Sequence, residues 1–172
     1  MSGRNLPQRP QPTTGPDHGL RESNPGEILG LARALVLIQE TEQTLRLQGV
    51  LSSIGIDVCE ARSASGAAAV LRREEARGRS FDFLLVDGLF GGICGMSLCA
   101  ALCMQLRRRP EVILLTPTEN LFHDDALIRS GISAVVDPEC TLVELQTLLL
   151  GLHRQAHHHL PEHLAPAGRV TF

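Results

Sequence analysis

The sequence contains no lysine, because all 16 of its basic residues are arginine. This absence excludes any mechanism that needs a side-chain ammonium group. No apolar run approaches the roughly 18 residues of a membrane span, and the opening MSGRNLPQRP lacks the apolar core of a secretory signal. The net charge of −3 provides no overall basic field for nucleic acid. We therefore expect a cytoplasmic protein that binds neither membranes nor nucleic acid.

The cysteines do not form the pattern of a disulfide framework. Their number, five, is odd, and they lie inside apolar segments rather than at regular spacings. Apolar residues make up 43% of the 172 residues and charged residues 20%, as in a globular domain with a substantial core. We therefore expect buried thiols rather than disulfide bonds.

The composition divides the chain into three parts. Residues 1–26 are rich in Pro, Gly, Arg, Gln, Ser and Thr, and we predict a disordered arm there. Residues 154–172 contain three adjacent histidines and two prolines without an apolar period, which predicts a flexible His-rich tail. Residues 27–153 hold nearly all of the apolar patterns and are the predicted folded domain.

Apolar runs of strand length alternate with helix-period segments five times in this domain. The predicted strands are Ala34–Ile38, Ile56–Cys59, Phe83–Val86, Val112–Leu115 and Ala134–Val136. Predicted helices follow them, beginning at Thr41, Ser63, Met96, Asn120 and Thr141. Since the strands are apolar on both faces, helices should cover both sides of a parallel sheet. The predicted fold is α/β: a doubly wound, five-stranded parallel sheet with five helices, of the flavodoxin-like type.

Polar residues follow the predicted strands directly. Gln39 and Glu40 follow the first strand, Asp87 the third, Thr116 the fourth and Asp137 the fifth. In a doubly wound fold the functional crevice lies at these carboxyl ends. A carboxylate placed there can attack phosphorus, provided that a cation neutralises the incoming phosphoryl group.

Taken together, the order and spacing of these segments resemble the receiver domain of two-component response regulators. FDFLLVDGLFGGICG, residues 81–95, is similar to the receiver pattern of an apolar strand, a phospho-accepting aspartate, a loop and a glycine that starts the third helix. VILLT is similar to the fourth strand with its switch hydroxyl, and RSGISAVV resembles the stretch that leads into the fifth strand. The resemblance covers about residues 33–152 and implies the receiver type of flavodoxin-like fold.

The resemblance implies roles for three residues at the carboxyl end of the sheet. Asp87 stands at the position of the phosphoacceptor, and Thr116 stands at that of the switch hydroxyl. Leu89, two residues after the acceptor, would supply a backbone carbonyl to a magnesium ion. No other residue of the chain is expected to act as a catalytic group.

The resemblance also implies a weakened magnesium site. Receivers hold the ion with two adjacent acids after the first strand, where this chain has either Gln39 and Glu40 or Ile38 and Gln39. One acid remains at best, which leaves Asp87, Glu40 and Leu89 as the expected ligands. Because magnesium requires an octahedral shell of oxygens, the loss of a carboxylate weakens its binding.

The fifth strand departs from the receiver pattern. The family's lysine after this strand is replaced by Pro138 in an ungapped comparison, or by Asp137 with a one-residue gap. Val135 stands near the position of the family's aromatic switch residue. Charged partners provide most of the stabilisation in phosphoryl transfer, and losing one costs on the order of 10²–10³ in rate. We therefore expect phosphorylation at Asp87 to be impaired.

These features favour a stand-alone, atypical receiver that acts in phosphorelay signalling through protein contacts. Its expected partner is a histidine kinase, a phosphotransfer protein or a downstream regulator. A homodimer through the face of helix 4, strand 5 and helix 5 is a further expectation, since Leu148–Leu150 should place an apolar side chain off the core. The alternative is a phosphorylation-independent pseudo-receiver that serves as a binding or adaptor module. A flavodoxin-like enzyme is less well supported, since no glycine-rich phosphate loop follows the first strand.

One basic cluster, Arg107–Arg109, precedes Pro110. Its simplest interpretation is a solvated helix end, where cations complement the negative end of the helix dipole.

Overall fold

The computed structural model describes residues 29–104, 106–117 and 124–158. The predicted arm at 1–26 and the part of the predicted tail from residue 159 onward lie outside the described residues. Five strands form the main sheet: Arg33–Leu37 (β1), Asp57–Glu60 (β2), Phe83–Asp87 (β3), Glu111–Leu115 (β4) and Ala134–Val136 (β5). Five helices follow them in turn: Thr41–Ser53 (α1), Ala64–Ala76 (α2), Gly95–Cys103 (α3), Asp124–Arg129 (α4) and Leu142–His158 (α5).

The sheet has the order β2-β1-β3-β4-β5, and all of its neighbouring strands are parallel. The direction of winding reverses between β1 and β3, which opens a crevice at the carboxyl ends of those strands. The predicted doubly wound, five-stranded parallel fold is therefore confirmed.

Two apolar clusters explain why the strands show no polar alternation. Alternate strand residues such as Val36 and Leu85 pack with α1 and α5 on one side of the sheet. Their neighbours Leu37 and Leu84 pack with α2 and α3 on the other side. Since both faces are covered, the core positions of β1, β3 and β4 favour apolar side chains on both faces of the sheet.

Local sequence signals fix several of the element ends. Ser63 caps α2, because its hydroxyl accepts the backbone N–H of Gly66 at 3.0 Å. Thr141 and Glu144 form a reciprocal capping box at the start of α5. Gly78 ends α2 with φ +71°, a conformation that favours glycine.

Helix α3 ends three residues before the predicted Leu106. Beyond Cys103 the chain turns away from the helix, and the N–H of Arg107 bonds to Glu75 Oε1 at 2.7 Å. Pro110 also disfavours helical backbone at the residue before it. Residues 120–123 of the predicted fourth helix lie outside the described residues, and α4 is described from Asp124.

Helix α5 extends to His158, past the predicted start of the tail at residue 154. No proline or glycine interrupts the chain between Leu152 and His158, so nothing stops the helix earlier. Within Leu148–Leu150, Leu149 is buried, and its two neighbours pack against the core but stay partly exposed. The most exposed large apolar residues of α5 are Leu142 and Val143, at its first turn.

Across the described residues, no helix is both long enough and apolar enough to cross a membrane.

Candidate functional site

An open cleft of about 450 Å³ lies at the carboxyl ends of β1, β3 and β4. It occupies the crevice where the strand order reverses, as expected for a doubly wound fold. The residues from the sequence analysis that line it are Gln39, Glu40, Asp87, Leu89, Thr116 and Pro138. The structure thus brings together most of the residues that were predicted to share this rim.

Asp87 ends β3 and is only partly exposed at the floor of the cleft. Its Oδ2 atom accepts the backbone N–H of Gln39 at 2.8 Å. Burial raises the pKa of Asp87, the Gln39 hydrogen bond lowers it, and the nearby charge of Glu40 raises it, with a net increase. The carboxylates of Asp87 and Glu40 thus line the same cleft.

Gln39 connects the end of β1 to β3 and its following loop through one backbone and one side-chain hydrogen bond. Its N–H donates to Asp87, while its Oε1 accepts the N–H of Gly91 at 3.1 Å. Ile38 is 3% exposed and belongs to the core. The residues that face the cleft after β1 are therefore Gln39 and Glu40, and only one of them is an acid.

The loop after Asp87 forms a short antiparallel hairpin, Leu89–Phe90 with Ile93–Cys94. Gly91 and Gly92 make the turn with φ +57° and +79°, which matches a two-residue type I′ turn. Phe90 anchors the hairpin in the core, while Leu89 is 65% exposed beside the cleft. We expected a plain loop in this stretch, although a Gly-Gly pair between apolar residues is a hairpin signal.

Two glycines allow the backbone around Asp87 to pack closely. A Cβ at Gly88 would lie 3.0 Å from Thr116 Oγ1, so the Thr116 side chain rests against the backbone next to Asp87. Thr116 is 4% exposed, and its N–H donates to the carbonyl of Val136 at 3.0 Å. A Cβ at Gly95 would overlap the carbonyl oxygen of Asp87. The glycine that starts α3 therefore fixes the helix against the end of β3.

Of the residues in and just after β5, only some line the cleft. Pro138 lines the cleft, whereas Val135 and Asp137 do not. Asp137 Oδ1 accepts the backbone N–H of Glu139 at 2.8 Å and so shapes the turn after β5. The residue that follows β5 at the cleft is thus a proline, which carries no charge.

Arg46, which sequence analysis did not single out, holds this turn in place. Its guanidinium donates to the carbonyls of Pro138, Glu139 and Cys140 at 3.4, 3.3 and 3.0 Å. Arg46 lies in the middle of α1, and no local motif in the sequence connects it with a turn more than 90 residues away.

The cleft offers few oxygen atoms to a cation. Asp87 and Glu40 supply two carboxylates, but the amide oxygen of Gln39 is engaged by Gly91. Among the described residues no group of three or more His, Cys, Asp or Glu side chains could hold a metal ion. A cation here would depend on two carboxylates, a backbone carbonyl and water.

Comparisons with known proteins identify the fold. No family model and no curated protein sequence matches the chain. Among solved structures, the receiver domain of the TMAO respiratory system response regulator TorR matches at TM-score 0.59 and 22% identity, over 72% of this chain and 98% of that one. The receiver domain of a sensor histidine kinase from Pseudomonas aeruginosa PAO1, with magnesium coordinated in its active-site cleft, matches at TM-score 0.60 and 18% identity, over 72% and 98%.

A probable two-component system response regulator/GGDEF domain protein matches at TM-score 0.67 and 18% identity. The match covers 76% of this chain and 52% of that protein, so the chain spans about half of its length. The predicted resemblance is thus confirmed as a fold: the chain has the fold of response-regulator receiver domains.

Proposed function

We propose that the chain is an atypical receiver domain that acts in two-component signalling through protein contacts rather than as an enzyme. Asp87 is its phosphoacceptor, with impaired reactivity. The observation that carries this proposal is the position of Asp87 at the end of β3, in a cleft that Glu40 and Thr116 also line. In this arrangement an oxygen of Asp87 attacks the phosphorus of a phosphodonor, an acyl phosphate forms, and the bond to the donor breaks.

A magnesium ion would be held by Asp87, Glu40, the carbonyl of Leu89 and water, and it would neutralise the charge of the phosphoryl oxygens. The Thr116 side chain lies against Gly88, next to Asp87, and its hydroxyl would donate to one of those oxygens. Pro138 supplies no positive charge. The reaction is therefore impaired because one acid and one cation are missing, while the nucleophile and the hydroxyl are present.

The expected partner is a histidine kinase, a phosphotransfer protein or a downstream regulator in the cytoplasm. A homodimer through α4, β5 and α5 is a further part of the proposal. Ile128 of α4 is 72% exposed, and Val143 and Leu142 of α5 are 69% and 44% exposed. Exposed apolar side chains beside the sheet-edge strand β5 support an interface on this face.

Intact-mass measurement after incubation with acetyl phosphate and magnesium tests the phosphoacceptor. We expect a slow mass increase of one phosphoryl group that hydroxylamine removes, and no increase in Asp87→Asn. A labile phosphoryl group that persists in Asp87→Asn would assign the modification to another residue and contradict the proposal.

A phosphorylation-independent pseudo-receiver is the second candidate. It is favoured by Gln39, whose backbone N–H bonds to Asp87 Oδ2 and whose side-chain Oε1 accepts the N–H of Gly91, so contacts within the chain already hold this loop in place. If this candidate is correct, the wild type gains no mass, and neither beryllofluoride nor high magnesium changes the amide signals of residues 87–95.

A further inference from the structure

A second hollow lies at the amino ends of β3 and β4, at the opposite end of the sheet from Asp87. It measures about 350 Å³ and lies between the last turn of α2 and the loops that lead into these strands. Leu71, Phe81, Leu106 and Pro110 form an apolar lining, and all of them except Leu106 are buried. A concave apolar surface of this kind favours an apolar occupant.

Three arginines, Arg79, Arg107 and Arg108, also line this space, which we term the arginine hollow. Its only described acidic lining residue is Glu75, whose Oε1 accepts the backbone N–H of Arg107 at 2.7 Å. Arginines thus outnumber acidic side chains in this lining, on a chain with a formal net charge of −3. A lining of this kind favours a ligand with a negative charge.

Ion pairs orient two of these guanidinium groups. Arg79 Nη2 lies 2.9 Å from Glu74 Oε2, and Arg108 Nη2 lies 3.3 Å from Asp82 Oδ1. Glu74 is itself shared with three further arginines, so it neutralises only part of the charge of Arg79. The guanidinium of Arg107 has no ion pair or hydrogen bond within the described residues, which leaves its donors available to a ligand.

The dipole of α3 does not account for Arg107 and Arg108. We expected Arg107–Arg109 at a helix end, but α3 ends at Cys103, four residues before Arg107. The influence of a helix dipole falls off within the last turn. Arg107 and Arg108 lie instead on the loop that enters β4, beside the apolar lining.

We propose that the arginine hollow binds a small amphipathic organic anion. A single ring or short aliphatic body contacts Leu71, Phe81, Leu106 and Pro110, and a carboxylate pairs with Arg107. The planar guanidinium donates two parallel hydrogen bonds to a carboxylate, a geometry that an ammonium group does not offer. The volume lies near the lower end of the roughly 300–1,000 Å³ range of ligand sites, which matches a ligand with one ring.

Titration of the ¹⁵N-labelled full chain with 4-phenylbutyrate, followed by amide NMR, tests this site. We expect saturable shifts at Ser80, Phe81 and residues 106–108, with a Kd on the order of 1 mM for a ligand of this size. The uncharged amide, 4-phenylbutyramide, should bind about tenfold more weakly because it lacks the charge-assisted contact.

Arg107→Gln should weaken 4-phenylbutyrate binding about tenfold. Arg107 is exposed, so its replacement does not disturb the core. Arg62→Gln is the matched control, because Arg62 lies just after β2, at the far end of the sheet, and its side chain is 86% exposed. This control should bind the probe like the wild type.

Several results would overturn the proposal. These are the absence of saturable shifts at the arginine hollow up to about 20 mM probe, unchanged binding by Arg107→Gln, or equal binding of the uncharged amide. The proposal would also be overturned if sulfate, added as its sodium salt, displaced 4-phenylbutyrate with an equal affinity, because the apolar lining would then contribute nothing.

Discussion

Asp87 combines two opposing effects on a single carboxyl group. Burial and the charge of Glu40 favour the protonated form, whereas the N–H of Gln39 favours the charged form. Asp87 is predictable from the sequence because it directly follows an apolar strand. The hydrogen bond from the Gln39 N–H is not predictable, because it depends on how β1 and β3 pair across 48 residues.

Replacement of Asp87 by Asn should stabilise the fold in a pH-dependent manner. Because its folded pKa is raised, the charged carboxylate disfavours folding, and stability is lost as pH rises from about 3.9 through the folded pKa. The side chain of Asn in Asp87→Asn can still accept the hydrogen bond from the Gln39 N–H. This variant should therefore show a higher urea midpoint than the wild type at pH 7. The difference should shrink as pH falls toward 4; a difference that is constant with pH would contradict this assignment.

Gly95→Ala should destabilise the fold by about 1–3 kcal/mol through overpacking. The new Cβ would overlap the carbonyl oxygen of Asp87 and lie 2.8 Å from Leu114 Cδ1. Gly49→Ala is the matched control, since a Cβ there meets nothing within 4 Å. In the interior of α1 this control should stabilise by about 0.5–1 kcal/mol. Urea denaturation of both variants measures the difference, and equal stabilities would refute the close approach.

At the scale of elements, the sequence predicts the strands better than their connections. β1, β3 and β4 are predicted to within one residue, because aliphatic runs that are buried on both faces have few alternatives. The hairpin around Gly91 and Gly92 was not predicted, although the Gly-Gly pair is a local signal for it. The early end of α3 was not predicted either, and there the chain contacts a distant residue, Glu75.

Thr141→Ala should weaken the start of α5 and cost about 1 kcal/mol. The Thr141 hydroxyl accepts the N–H of Glu144 at 3.3 Å, and Glu144 Oε2 accepts the N–H of Thr141 at 2.8 Å. Thr147→Ala is the control, because Thr147 is exposed on the same helix and its hydroxyl bonds only to the carbonyl of Val143. Thermal unfolding should show a lower Tm for Thr141→Ala alone; equal Tm values would rule out a stabilising cap.

At the scale of the whole molecule, the sheet separates two chemically different ends. The carboxyl end holds Asp87 and Glu40, and the amino end holds the arginine hollow. The order of strands and helices made the first end predictable, since carboxyl ends of parallel strands meet in one crevice. The second end was not predicted as a site, because Arg79 and Arg107 are separated in sequence and meet only through the packing of α2 beside the loop into β4.

Charged substitutions on the α4–β5–α5 face should disrupt self-association. Ile128→Glu and Val143→Glu each place a carboxylate where an apolar side chain is largely exposed. We expect the Kd of the dimer to rise at least about tenfold, as when a side chain at the centre of an interface is truncated. Leu31→Glu, at a residue that is 95% exposed before β1, is the control. Sedimentation velocity over a concentration series measures this; a wild type that stays monomeric would contradict the dimer.

The rate of acyl-phosphate formation at Asp87 tests the central claim most directly. Wild type, Asp87→Asn and the repaired variant Gln39→Asp/Pro138→Lys should be compared by intact mass over time with acetyl phosphate and magnesium. The repaired variant regains an acid and a cation, and one such partner is worth on the order of 10²–10³ in rate. We predict slow labelling of the wild type, none of Asp87→Asn, and labelling at least about tenfold faster in the repaired variant. Absence of labelling in both the wild type and the repaired variant would contradict the assignment of Asp87 as a phosphoacceptor.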